Sequence, residues 1–260
     1  MRELKETNNY TVPALNRAID VLEILANSDN EISLHELSSK TGIPKSTLFR
    51  ILFTLEKRKF VEQDYERKKF GLGLKLWELG NIKIEKSELS ATAVKYMKKL
   101  SDRVNENVFL GVLDQGDVIY LQKVENTARV KTITKLGRRA PAYCTATGQV
   151  ILAYTSREKI DELYPNEELT KYSKNTISSK EKLIKKLENI REDGYAIADG
   201  EFNPELLCVS VPIKDYTKQV VAALTIDMIS TRNNFQKVKD LILPLKETAE
   251  LISSELGYNN

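Results

Sequence analysis

Apolar side chains recur at helical spacing twice in the first 60 residues of the chain. The first stretch covers residues 13–26 and is followed by a polar run at residues 27–30. Spacings of three and four residues put side chains on one face of an α-helix, so the pattern predicts an amphipathic first helix. The predicted buried stripe consists of Leu15, Ala18, Ile19, Leu22 and Leu25, widened by Val21 and Ile24.

The second helix is predicted from its end signals. Ser33 and Glu36 have the spacing of a capping box, in which the serine accepts a hydrogen bond from the third helical amide and the glutamate reaches back. The helix is expected to run to about Lys40, where Gly42 ends it by adopting a left-handed conformation. Pro44 suits the first turn of a third helix, because that position needs no N–H donor. The segment therefore predicts helix, tight turn, helix.

The third helix has one apolar and one basic face. Its predicted buried side is formed by Leu48, Ile51, Leu52 and Leu55. Its outward side carries Lys45, Ser46, Thr47, Arg50 and Thr54. A recognition helix reads base edges from its first turns, and an arginine can donate two hydrogen bonds to guanine. Arg50 is the best candidate for base recognition, while the three residues at the helix start suit phosphate contacts.

A hairpin follows the third helix. Apolar positions in residues 60–63 and 69–72 flank a polar tip at residues 64–68, which predicts a wing. Residues 40–75 contain ten basic and four acidic side chains, whereas the net charge of the whole chain is only +3. The positive charge is therefore concentrated on the segment proposed to face DNA. The candidate DNA contacts are Lys45, Ser46, Thr47, Phe49, Arg50, Thr54, Arg67 and Lys68.

The rest of the chain alternates between predicted strands and helices. The predicted helices are 74–80, a longer one with Leu89, Ala93, Met97, Leu100 and Val104 on its apolar face, 146–154, 157–163, 180–192 and 234–256. The predicted strands are 108–113, 118–124, 130–134, 195–198, 208–213 and 220–226. Strands grouped in hairpins with helices beside them favour an α+β domain on an antiparallel sheet over a doubly wound nucleotide-binding fold.

Composition narrows the function classes. The 260 residues are 41% hydrophobic and 30% charged, which is typical of a soluble globular protein. No apolar run is long enough to cross a bilayer and the first residues lack a secretory signal, so we expect a cytoplasmic protein that does not bind membranes. The only histidine is His35, in the helical N-terminal part, and the two cysteines lack metal-site spacing. The sequence predicts no catalytic residues, no metal and no cofactor.

Several separated motifs resemble the IclR family of bacterial transcription regulators, and the resemblance covers residues 12–257. The motifs are residues 12–22, 41–47, 69–73, 137–141, 145–148 and 201–204, the last leading to Cys208 and Pro212. The resemblance implies a winged helix-turn-helix at residues 10–73, a linker helix at 74–88 used in dimerisation, and a GAF-like effector-binding domain at 89–258. Members of the family are dimers or tetramers, and both states remain open.

The resemblance also implies where an effector binds. The matching positions are Ala146, Thr147, Asp199, Cys208, Thr225 and Asp227. Backbone amides and hydroxyls there suit an organic acid or aromatic metabolite. Asp227 stands where the family often has a small hydroxyl residue, and a carboxylate opposes an anionic ligand unless it is paired. A sugar-derived, neutral or amine-bearing ligand therefore stays open, as does the alternative that Cys208 is a core residue.

These observations favour a transcription regulator, with repression expected, that binds a double-stranded DNA operator under the control of a small molecule. Two other classes remain. An enzyme carrying a DNA-binding module is disfavoured because the second domain has no histidine, metal cluster or glycine-rich nucleotide loop. A protein-interaction module predicts that replacing Arg50 changes nothing on DNA.

Overall fold

The computed structural model describes residues 11–85, 87–126, 134, 136–230 and 235–259. The chain divides into two compact units, Met1–Lys86 and Ser87–Asn260. Each has its own hydrophobic core. Among the described residues, no helix combines the length and apolar character needed to span a membrane.

The first unit is a helix-turn-helix with a small sheet. Its elements are α1 (Pro13–Ala26), β1 (Ile32–Ser33), α2 (Leu34–Thr41), α3 (Lys45–Lys57), β2 (Val61–Asp64), β3 (Lys69–Leu72) and α4 (Leu74–Glu85). The strands form an antiparallel sheet in the order β1-β3-β2. The predicted winged helix-turn-helix is confirmed, and β1 completes the wing sheet from a segment too short to show a strand pattern.

The turn between α2 and α3 forms as the sequence predicts. The Glu36 amide donates to Ser33 Oγ at 3.3 Å, and the Ser33 amide donates to Glu36 Oε2 at 2.9 Å, which completes the capping box. Gly42 ends α2 in the left-handed region with φ of 68°. Pro44 differs from the prediction by one position, because it lies at the N-cap of α3 in an extended conformation instead of in the first turn.

The buried face of α1 is narrower than predicted. Val21 and Leu25 are buried, and Leu22 and Ile24 pack partly against the same core. Leu15 and Ile19, which belong to the predicted buried stripe, are 58% and 45% exposed. The first two turns of α1 therefore present apolar side chains outward, and helical spacing alone did not distinguish this face from a core face.

The second unit is a six-stranded antiparallel sheet with helices on both faces. Its elements are α5 (Glu88–Val104), β4 (Asn107–Asp114), β5 (Asp117–Val124), β6 (Arg139–Pro141), a 3-10 helix (Ala142–Cys144), α6 (Ala146–Leu152), α7 (Arg157–Leu163), α8 (Lys180–Asp193), β7 (Ala196–Asp199), β8 (Leu206–Lys214), β9 (Val220–Ile229) and α9 (Phe235–Glu255). The strand order is β6-β5-β4-β9-β8-β7. The predicted α+β class and antiparallel sheet are confirmed.

The two faces of this sheet bury different helices. Side chains of α5 and α9, such as Met97 and Leu245, pack with Val209 and Leu224 on one face. The other face packs against the 3-10 helix, α6, α7 and α8. Because side chains alternate along a strand, each central strand contributes to both cores. The candidate site lies on the second face.

Some element predictions differ from the structure. β6 and the 3-10 helix were not predicted, and α6 ends at Leu152, two residues before the predicted end. The predicted strand at 130–134 lies outside the described residues except for Thr134. β7, β8 and β9 each differ from the predicted strands by one to three residues at an end, which is the usual scatter of element boundaries.

Candidate functional site

The outward face of α3 is polar, basic and exposed. Lys45, Ser46, Phe49, Arg50 and Thr54 are all exposed, and Thr47 is half-buried. Leu48 and Leu52 anchor the opposite face in the core. The Thr54 hydroxyl donates to the Arg50 carbonyl at 2.8 Å, so it is directed to its own helix. The predicted side chains of α3 therefore share one solvent-facing surface.

The wing tip is fixed to α3 by side-chain contacts. Asp64 accepts hydrogen bonds from the amides of Glu66 and Arg67, each at 3.0 Å, which closes the turn. The Tyr65 hydroxyl donates to Glu56 Oε1 on α3 at 2.5 Å. Arg67 and Lys68 are exposed at this tip, and Lys68 has a φ of 54°. The two predicted wing cations therefore belong to an ordered turn held against the helix.

An aromatic pair interrupts the basic surface of α3. Phe49 and Phe53 are 55% and 50% exposed, and their rings stack with centroids 6.4 Å apart. The Lys57 ammonium lies 5.3 Å from the Phe53 centroid, within range of a cation–π interaction. Phe53 was not predicted as a site residue, although its position four residues after Phe49 would have shown that the two rings share a helical face.

A cavity of about 260 Å³ lies on the α6 side of the sheet in the second unit. It is bounded by strands β5, β8 and β9, by the start of α6, and by the connection between β7 and β8. The lining residues are Tyr120, Thr134, Arg138, Arg139, Ala140, Cys144, Thr145, Ala146, Thr147, Ala198, Glu201, Phe202, Asn203, Leu206, Cys208 and Asp227. Its size suits a small metabolite, since pockets for drug-sized ligands begin at about 300 Å³.

Two glycines allow α6 to approach the sheet and the 3-10 helix. A Cβ at Gly148 would lie 2.3 Å from Ala142, and one at Gly111 would lie 2.6 Å from the Thr147 methyl. With neither Cβ present, the Thr147 hydroxyl reaches Thr225 Oγ1 at 2.7 Å. A buried hydroxyl chain thus runs from the cavity wall into the sheet.

Glu201 is a buried carboxylate with partners on both oxygens. Lys186 donates to Oε1 at 2.5 Å, and the Gln149 amide donates to Oε2 at 2.7 Å. Gln149 also donates to the Tyr143 carbonyl at 2.9 Å. Glu201 is 7% exposed and its charge is balanced by the lysine. This carboxylate is satisfied within the protein.

Asp227 is a buried carboxylate with only one satisfied oxygen. It is 2% exposed, and its Oδ2 accepts from the Thr134 hydroxyl at 2.8 Å. Its Oδ1 has no hydrogen-bond partner among the residues that the structure describes. Burial raises the pKa of Asp227, while the Thr134 hydrogen bond, the adjacent Cys208 thiol and the nearby Lys123 charge act in the opposite direction. The cavity therefore contains an unused hydrogen-bond acceptor.

Both cysteines line the cavity as thiols. Burial raises the pKa of Cys144 to about 12, and burial together with the charge of Asp227 raises the pKa of Cys208 well above its usual value. Both side chains are therefore protonated at neutral pH, and nucleophilic chemistry requires the thiolate. Cys208, which the sequence left open as either a cavity or a core residue, pairs with Asp227 across β8 and β9.

The cavity brings together four of the six predicted effector residues: Ala146, Thr147, Cys208 and Asp227. Thr225 lies behind Thr147 and is 1% exposed, so it supports the wall without lining it. Asp199 is exposed and does not line the cavity, because strand alternation turns the neighbouring Ala198 inward. Its carboxylate instead accepts from Ser230 at 3.3 Å.

Several polar residues of the cavity wall were not predicted, Glu201 and Tyr120 among them. Glu201 appeared only as part of a motif, and Tyr120 as part of a strand. Tyr120 is 8% exposed, with its hydroxyl 3.4 Å from Thr147 Oγ1. A tyrosine between the apolar residues Ile119 and Leu121 was the available signal, because buried hydroxyls need partners.

Two family models match this chain, one in each unit. A family model described as the IclR helix-turn-helix domain matches residues 14–65. A second, described as the bacterial transcriptional regulator IclR C-terminal, matches residues 82–254. The chain belongs to the IclR family. It is a DNA-binding transcription regulator, with an N-terminal helix-turn-helix domain and a C-terminal effector domain.

Individual relatives match this IclR-family chain over nearly its whole length. The transcriptional regulator KdgR of Escherichia coli is 31% identical and covers 96% of this chain and 95% of its own. The acetate operon repressor of Salmonella typhimurium is 29% identical, and the match covers 95% of this chain and 90% of the repressor. A crystal structure of an IclR homologue from Microbacterium hydrocarbonoxydans complexed with 4-hydroxybenzoate has a TM-score of 0.81 at 25% identity. The match covers 94% of this chain and 99% of the homologue.

Proposed function

We propose that this regulator is a repressor that binds its operator through α3 and the wing, and that a small metabolite in the sheet cavity controls this binding. In this proposal residues 10–73 form the DNA-binding domain, 74–88 the linker helix and 89–258 the effector-binding domain. The single observation that carries it is the exposed basic face of α3 in a chain of this family.

The proposed DNA contacts divide into two groups. Arg50 and Phe49 suit base edges, since arginine pairs with guanine and an apolar ring packs against a thymine methyl. The other proposed residues position the protein on phosphates: Lys45, Ser46, Thr47, Thr54, Arg67 and Lys68. The exposure of both elements supports this division. A protein that reads an inverted repeat acts as a homodimer or homotetramer, with half-sites about one helical turn apart.

The proposed effector is an organic acid, a sugar-derived compound or an aromatic metabolite. Ala146, Thr147, Cys208 and Asp227 contact it directly, while Thr225 and Asp199 act from outside the lining. The complex of a homologue with 4-hydroxybenzoate supports a small-molecule effector. Arg138 lines the same cavity and is exposed, so it suits an anionic end of the ligand.

We infer that the chain is a cytoplasmic regulator without catalytic activity or cofactor. Both cavity thiols are held protonated by burial, and the single histidine lies on α2 in the first unit. Both oxygens of the Glu201 carboxylate are engaged inside the protein, by Lys186 and Gln149.

The test is binding of the full chain to its own upstream intergenic DNA across a salt series. Wild type is expected to bind at nanomolar concentrations with a steep salt dependence, because phosphate contacts release counterions. Arg50→Ala is expected to lose about 1–3 kcal/mol of preference for the specific site. Arg157→Ala, which removes an exposed arginine from α7, serves as the matched control.

Two results separate the function classes. Equal binding of wild type, Arg50→Ala and Arg157→Ala to specific DNA would overturn the assignment of α3 as the reading helix. Sequence-independent binding by all three, with no salt dependence, would favour an assembly module over a regulator of this operator.

A further inference from the structure

The two buried carboxylates of the cavity have different hydrogen-bonding states. Glu201 uses both oxygens within the protein, on Lys186 and Gln149. Asp227 uses only Oδ2, on Thr134, while Oδ1 has no partner among the described residues. An unpaired acceptor in a buried site is unfavourable, so its retention points to a partner that arrives from outside the protein.

The groups around Asp227 define what that partner is. The wall of the cavity carries the hydroxyls of Tyr120, Thr134 and Thr147, each of which can donate and accept a hydrogen bond. Arg139 also lines the cavity, but it is engaged by ion pairs with Asp114 and Asp117. The region beside Asp227 therefore consists of these hydroxyls and the protonated Cys208 thiol, around a carboxylate whose Oδ1 accepts no hydrogen bond from the described residues.

We infer that Asp227 is the specificity-determining residue of the cavity and that it selects a polyhydroxylated, sugar-derived effector by accepting a hydrogen bond from a ligand hydroxyl at Oδ1. This inference rests on the proposed function, because it names the ligand class of the same cavity. The hydroxyl of the ligand donates to Asp227 and its oxygen accepts from a neighbouring hydroxyl of the wall.

Other ligand groups fit this position less well. A ligand carboxylate placed against Asp227 brings two like charges together. An apolar group leaves Oδ1 unpaired and excludes the water that could have paired it. An ammonium group needs several acceptors and adds the cost of removing a second charge from water, whereas a hydroxyl adds no charge.

The substitution Asp227→Asn tests this inference by reversing the polarity of the open position. Thr134 donates to Oδ2, so the amide oxygen of asparagine takes that place and the amide nitrogen takes the place of Oδ1. The open acceptor thereby becomes a donor in a side chain of the same shape. Asp102→Asn makes the same chemical change at an exposed carboxylate on α5, outside the cavity lining, and is the matched control.

The probes are aldonates and uronates of five and six carbons, covering their hydroxyl stereoisomers, beside hexanoate, 6-aminohexanoate and 4-hydroxybenzoate. Binding is measured by calorimetry on the full chain, and release of operator DNA is measured in parallel. At least one polyhydroxylated acid is expected to bind best. Asp227→Asn should weaken binding of that acid about 10- to 100-fold, while Asp102→Asn leaves it unchanged.

The outcomes separate this inference from the proposed function. Tighter binding of hexanoate, 6-aminohexanoate or 4-hydroxybenzoate, with release of DNA, overturns the assignment of a polyhydroxylated ligand and leaves the effector cavity in place. Equal binding of the polyhydroxylated acid to wild type and Asp227→Asn overturns the role of Asp227. No binding and no DNA release with any probe overturns both. Asp227→Ala, which offers neither acceptor nor donor, should also lose the polyhydroxylated ligand.

Discussion

Asp227 and Thr225 occupy the same face of β9, two residues apart, yet their environments differ. Thr225 bonds to the hydroxyls of Thr147 and Ser210, at 2.7 and 2.8 Å, so its polar group is fully used inside the protein. Asp227 retains an open oxygen in a site where burial raises its pKa. A residue that costs stability and lines a cavity is the type of position at which proteins exchange stability for binding.

The first prediction concerns this cost. The folded-state pKa of Asp227 is raised above its ordinary value of 3.8, so between those values the folded chain binds more protons than the unfolded chain. The free energy of unfolding therefore falls as pH rises through this window. Asp227→Asn removes the buried carboxylate that causes this fall. It should therefore stabilise the ligand-free protein by about 1–2 kcal/mol at neutral pH. Urea unfolding at several pH values measures it.

The control for this prediction is Asp102→Asn, the same change at an exposed carboxylate, whose stability should match that of wild type. The gain from Asp227→Asn should disappear at acid pH, below the ordinary pKa of an aspartate. A constant gain at all pH values would mean that the substitution acts through packing and not through the buried charge.

A second prediction concerns the ion pair of Glu201. Lys186→Met should destabilise the second unit by about 1–3 kcal/mol, a value reduced from that of a fully buried pair because the lysine side chain is 27% exposed. The double variant Lys186→Met with Glu201→Gln should recover part of the loss, since the uncompensated charge is gone. Thermal unfolding of the four proteins of this cycle measures the coupling, and additive losses would contradict it.

At the scale of elements, the sequence predicts best where an end signal is local. The capping box at Ser33, the glycine at position 42 and the caps of α7 and α8 lie within a few residues of the ends that they define. β6 was missed because its three residues become a strand only by pairing with β5. A partner distant in sequence leaves no local pattern, so such elements need the tertiary structure.

The cap of α2 gives a third prediction. Ser33→Ala removes the acceptor of the Glu36 amide and should destabilise the first unit by about 1 kcal/mol. Ser39→Ala, in the interior of the same helix, should be neutral or slightly stabilising because alanine has the higher helix propensity. Circular dichroism during thermal unfolding checks both, and equal melting temperatures for the two variants would contradict the cap.

The connection between the wing and α4 gives a fourth prediction. A Cβ at Gly73 would lie 2.3 Å from the Lys59 carbonyl oxygen, so Gly73→Ala should displace the backbone and destabilise the unit by about 1–3 kcal/mol. Gly80 lies inside α4 with nothing within 4 Å of its Cβ position. Gly80→Ala should therefore stabilise α4 by about 1 kcal/mol. Opposite shifts in the melting temperature are the expected result.

At the scale of the whole molecule, the two candidate surfaces differ in how far the sequence predicted them. The α3 face was predicted almost completely, because all its residues lie on one helix with a fixed period. The cavity combines β5, β8, β9 and α6, so its lining depends on strand register. Ala198 and Asp199 show the limit of prediction from sequence. The two residues are neighbours on one strand, yet Ala198 lines the cavity and Asp199 is exposed.

The last prediction follows from thermodynamic linkage. If the effector weakens operator binding by a given factor, the operator must weaken effector binding by the same factor, and such couplings are typically about 5- to 150-fold. Titrating DNA with and without saturating effector, and effector with and without saturating operator, measures the factor twice. Arg50→Ala should bind effector normally but lose the effect of operator on it, because it no longer binds that DNA specifically. A factor of one in both titrations would mean that the cavity ligand does not regulate DNA binding.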